Sequence, residues 1–117
     1  MNTRFSNEVI AHIKGQSFIY TCACPAQICK VINESRALFN YQQQCLNLTD
    51  TDKAVHQALA KTAESIHVLL EQCLEDILQL EGWDMETYQM PESMLKKLMS
   101  EFSEEMGDGK DSCDFGQ

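Results

Sequence analysis

No run of apolar residues in this 117-residue chain approaches the ~20 needed to cross a bilayer, which argues against a membrane span. The stretch Met1–Lys14 alternates polar and apolar residues without an unbroken hydrophobic segment, so no secretory signal is read there. Proline and glycine are scarce, at two and five residues, which excludes a collagen-like or low-complexity chain. Positive charge is short as well: nine Lys and Arg stand against eighteen Asp and Glu, and the resulting net charge of −9 opposes phosphate backbones and anionic lipid. The expectation is a cytoplasmic protein with neither a nucleic-acid partner nor a membrane. A glycine-rich phosphate loop, a zinc-protease motif and a serine nucleophile elbow are also missing, so enzymatic activity has no positive support.

What is there suffices for one core. A hydrophobic fraction of 44% in 13.3 kDa fits a single domain, read as residues 1–106 with a disordered acidic tail at 107–117. Charge is uneven along it. Residues 1–70 hold six basic and five acidic groups, while 71–117 hold three and thirteen. Such an end is usually a solvated face that resists aggregation, and less often a docking surface for a basic partner.

The pattern predicts an all-α fold. Phe5, Val9, Ile10 and Ile13 at helical spacing give a short first helix, with Ser6 as N-cap and an end at Gly15. Ser17–Cys22 is rich in aromatic and β-branched residues, yet no second such run exists to pair with it, so it reads as an ordered lead-in. Pro25 suits the first turn of a helix over 25–46 with Cys24 as N-cap. Thr49-Asp50-Thr51-Asp52 then supplies caps for a long helix over 50–81 that Gly82 ends. Pro91 opens a last helix carrying Met94, Leu95, Leu98, Met99, Phe102 and Met106.

Along the long helix, Val55, Leu59, Thr62, Ile66, Leu69, Cys73, Ile77 and Leu80 recur at steps of three and four, close to a coiled-coil seam. Ala58, Ala63, Leu70 and Leu74 widen it. A stripe this broad, through Leu59, Ala63, Ile66, Leu70, Leu74 and Ile77, exceeds what one partner helix covers, so the chain is expected to form a homodimer or higher oligomer. The function that fits is a helical interaction or regulatory module, with a further protein partner also possible.

Six cysteines form the second clue. Cys22-x-Cys24-x4-Cys29 matches no standard zinc or iron–sulfur spacing. In an antiparallel hairpin turning near Asn47–Thr49, however, facing residue numbers sum to about 97, give or take a turn. That register sets Cys73 opposite Cys24 and gathers Cys22, Cys24, Cys29 and Cys73 at one end. Four thiols there suit zinc, an iron–sulfur cluster or redox exchange, with Cys24 at a helix N-terminus as the best-placed nucleophile. The plainer alternative is that these cysteines are small core hydrophobes. Cys45 reads as core and Cys113 as incidental.

Glu64 and His67 have the Glu-x-x-His spacing that sets a carboxylate and an imidazole on one helix face, and the same register rule places Glu34 across from Glu64. In these three residues the chain resembles the half-sites of ferritin-like proteins that assemble from hairpins, which implies a di-iron centre completed by a dimer. The methionines at 85, 90, 94, 99 and 106 read as adaptable packing residues, although thioethers can bind Cu(I). His12 and His56 read as surface or boundary residues, and Trp83 with Tyr88 as a lid on the bundle end.

Overall fold

The computed structural model describes residues 1–17 and 24–91, and within them every regular element is a helix: α1 Asn7–Ser17, α2 Cys24–Gln44 and α3 Asp50–Glu81. No strand occurs among the described residues. The last helix expected after Pro91, the acidic tail, Cys22 and most of the lead-in segment lie outside them.

The caps follow the local chemistry. Ser6 Oγ accepts from the Val9 N–H at 3.1 Å, satisfying a donor that α1 leaves unpaired. Thr49 does the same for α3, accepting from the Asp52 N–H at 3.0 Å. Gly82 ends α3 in the left-handed region at φ 84°, where a side chain would be strained, and its N–H returns to the last turn. Gly15, by contrast, does not end α1. The helix continues to Ser17, because Ser17 Oγ donates to the Ile13 carbonyl at 2.9 Å and Gln16 Oε1 accepts from the Met90 N–H at 2.7 Å. These contacts outweigh the ~1 kcal/mol that glycine costs in a helix.

Both α1 and α3 pack on α2. The core joins Phe5, Ile10 and Ile13 to Cys29 and Ile32 of α2, to Leu74 and Leu78 of α3, and to Trp83. It therefore sits where the N-terminal segment meets the start of α2 and the end of α3. Toward the 45–49 turn the buried residues are small or polar: Ser35, Gln42, Ala60 and Ala63.

The face that α3 gives to this core is not the expected seam. Ala60, Ala63, His67, Glu71, Leu74 and Leu78 are the buried positions. Val55, Leu59, Ile66, Leu69 and Leu80 are exposed, Leu69 at 70% and Leu80 at 86%. The stripe expected to act as one surface is thus divided, with Ala63 and Leu74 inside the chain and Leu59 and Ile66 outside. Two apolar stripes run side by side on α3, and spacing does not say which one meets the chain's own helices. Alanines at 60 and 63 allow close approach to α2, which favours the stripe that contains them.

After α3 the chain folds back along α1. Asp84 Oδ1 accepts from the Glu86 and Thr87 N–H groups, and those bonds hold its carboxyl below the ordinary range. Tyr88 takes φ 57°, uncommon for an aromatic residue. Its carbonyl accepts from His12 Nε2 at 3.0 Å, and its ring meets Phe5 edge-on with centroids 5.7 Å apart. Trp83 is buried and Tyr88 half-buried, closing this end of the molecule.

Candidate functional site

The described thiols are spread over different environments. Cys24 opens α2 half-buried, Cys29 is fully buried in the core, Cys73 is half-buried on α3, and Cys45 follows the end of α2. Burial pushes the Cys29 thiol up to about 12, against the opposing pull of Lys14 and Arg36, so at neutral pH it carries its proton and acts as a small hydrophobe. Among the described residues no group of three or more His, Cys, Asp or Glu is arranged to hold a metal; Cys22, the fourth expected member, lies outside them.

Glu34, Glu64 and His67 part company within the chain. Both glutamates are exposed, whereas His67 is fully buried. Its ring is taken up by a group that spacing did not single out, Arg36. The register rule would set Arg36 across from residue 61, yet it bonds His67 and Glu71, further along α3.

Arg36 is the hub of this cluster. Its Nε donates to His67 Nε2 at 2.9 Å and its Nη1 to Asn7 Oδ1 at 2.7 Å. Nη2 is shared between the Phe5 carbonyl at 2.6 Å and Glu71 Oε2 at 3.1 Å. The same Glu71 oxygen accepts from the backbone N–H groups of Arg4 at 2.8 Å and Phe5 at 3.2 Å. Arg4 then reaches Glu75 and Gln72 on the surface of α3. Glu71 and Arg36 together clamp both polar faces of the N-terminal backbone.

Proton placement follows from the donors. A guanidinium can only donate, so His67 Nε2 offers its lone pair and the neutral ring carries its proton on Nδ1. Nδ1 lies 3.6 Å from Glu71 Oε1 and has no hydrogen-bond partner. Burial holds the His67 pKa below its usual value, against the attraction of Glu71 and with added repulsion from Arg36. The cluster fixes structure; with Arg36 and Glu71 both spent on the backbone, it offers no free nucleophile. A sequence signal existed, since on a helical wheel Glu71 falls among Ala63, His67, Leu74 and Leu78.

A second candidate is the flank of the hairpin that these contacts leave bare. It carries Val55 at 49% exposure, Leu59, Ile66 and Leu69 on α3, with Val31, Leu38 and Tyr41 on α2. Leu46 and Leu48 in the turn extend it. Monomeric proteins seldom leave so many large apolar residues contiguous and uncovered.

No protein-family model matches the sequence, and neither a curated protein nor a solved structure is matched. Function is therefore read from the bare flank and the buried cluster.

Proposed function

We propose that the chain is a small cytoplasmic helical interaction or regulatory module that self-associates through the exposed flank of the α2 and α3 hairpin. One observation carries it. Val55, Leu59, Ile66, Leu69 and Leu80, at coiled-coil spacing on α3, are left exposed among the described residues. Three thiols without a disulfide, at Cys29, Cys45 and Cys73, are consistent with a reducing compartment. The buried cluster serves this role by pinning the N-terminal segment, which keeps α1 and its packing off the flank.

Light scattering tests the proposal on the full chain. A mass of twice 13.3 kDa or more at micromolar concentration is expected, and Ile66→Glu combined with Leu69→Glu should return single chains with an unchanged helical spectrum. A single-chain mass for the unsubstituted protein at high concentration would overturn it.

A further inference from the structure

At about 100° per residue, Val55, Leu59, Thr62, Ile66, Leu69 and Cys73 fall on one side of α3, roughly a quarter-turn or slightly more from the line through Ala63, His67, Leu74 and Leu78. On α2, Val31, Leu38 and Cys45 are spaced by sevens and share a line offset in the same rotational sense, by roughly 70°, from the buried line through Ile32, Ser35 and Gln42. Because the two helices run in opposite directions, offsets of the same rotational sense put both lines on the same side of the hairpin. Arg36 and Glu71 are offset the other way, so the N-terminal segment that they hold lies on the opposite side. Among the described residues one side is thus closed by the chain itself and the other is open.

Charge selects the occupant. From Val55 to Cys73 the open side of α3 reads Val55, Ala58, Leu59, Thr62, Ser65, Ile66, Leu69 and Cys73, with no ionisable group before the thiol. A chain of net charge −9 repels its own copies over most of its surface, and this side is where that repulsion is weakest. Ala58, Thr62 and Ser65 are small enough for two helix backbones to come close, and the three-and-four spacing asks for a helical partner. Direction follows from the remaining charges. Before Leu70 the acids Asp50, Asp52 and Glu64 of α3 are nearly balanced by Lys53 and Lys61, whereas from Glu71 to Glu81 there are four acids and no base. Parallel helices would set acid against acid.

We infer that the open side docks a second copy of this chain about a two-fold axis, with the two α3 helices antiparallel and crossing near Ser65, so that two hairpins close one four-helix bundle. The inference rests on the self-association proposed above and adds the partner's identity and orientation. In this arrangement Val55 of one copy lies beside Cys73 of the other. Within one chain the two are separated by eighteen residues of α3, about 27 Å, beyond the reach of a short thiol linker.

The test is Val55→Cys in the full chain, treated with a short bis-maleimide and mapped by mass spectrometry after cleavage at glutamate, beside light scattering of the unsubstituted protein. The expected product joins the introduced thiol to Cys73 across two chains, with no link between the two copies of Cys73. A link from Cys73 to Cys73 would mean parallel helices and overturn the inference while leaving self-association standing. So would a dimer by mass in which neither link forms. A single-chain mass would remove both.

Discussion

The two ends of the hairpin are built differently. Near α1, three helices and the 82–91 segment surround Ile32, Leu74, Leu78 and Trp83, and the large side chains are inside. Toward the turn only two of the described helices meet, the buried residues are Ala60, Ala63, Ser35 and Gln42, and the large side chains Tyr41, Leu46, Leu48, Val55 and Leu59 are outside. A pair of helices can cover only one face of each other, so wherever the third layer stops, apolar surface is left over. The first end thus holds the chain's own core, and the second leaves its large side chains on the surface.

The largest effect is expected at the junction of the two ends. Arg36→Met would strip Glu71, His67 and the Phe5 carbonyl of their buried donor at once, and should cost about 3 kcal/mol or more in denaturant unfolding. Next comes a paired comparison. Leu74→Ala should cost about 3 kcal/mol, whereas Leu59→Ala should cost less than about 1 kcal/mol of single-chain stability and instead weaken association. Equal losses at the two sites would erase the contrast. Hydrogen exchange should show the same gradient, with amides of 52–60 exchanging faster than those of 70–78 under single-chain conditions.

Acid should act on the junction through His67. Its folded-state pKa lies below the unfolded value of 6.5, so the neutral ring is favoured by folding. Stability from this group is complete above pH 6.5 and is lost as pH falls from there toward the folded value. His67→Gln keeps an acceptor for Arg36 and removes the titration, so thermal unfolding of that variant should be flatter between pH 7 and pH 5. Glu81 works in the opposite sense, since burial raises its pKa against the bond from Trp83 and protonation is favoured in the folded chain. The smallest expected effect is a gain. Gly15 lies inside α1 with nothing within 4 Å of an added Cβ, so Gly15→Ala should stabilise by about 0.5–1 kcal/mol in the same unfolding experiment.

The helices were legible because their ends are local events. Ser6, Thr49 and Gly82 act on backbone groups within a turn of themselves, and each sits where its chemistry predicts. Gly15 misled because Gln16 and Ser17 are held by distant and tertiary contacts that no local rule contains. The inner face of α3 was misassigned for a related reason: the inner stripe is interrupted by His67 and Glu71, whose burial depends on Arg36, and the more regular apolar one through Leu59, Ile66 and Leu69 faces outward. The long Arg36 side chain reaches His67 and Glu71, beyond the residues near 61 that the register rule sets opposite its backbone. Arg36 itself could not be foreseen, because its role depends on the backbone of Phe5, thirty-one residues away.

That separation also sets an order of events during synthesis. The amides of Arg4 and Phe5 are made first, but the carboxylate that receives them is on Glu71. α1 and α2 can pair as they emerge from the ribosome and Arg36 can already take the Phe5 carbonyl, while the amides of Arg4 and Phe5 lack their acceptor until two-thirds of α3 has been added. Translation halted before residue 71 would leave residues 4 and 5 held by Arg36 alone, and proteolysis of stalled chains should cut there sooner than in the finished fold.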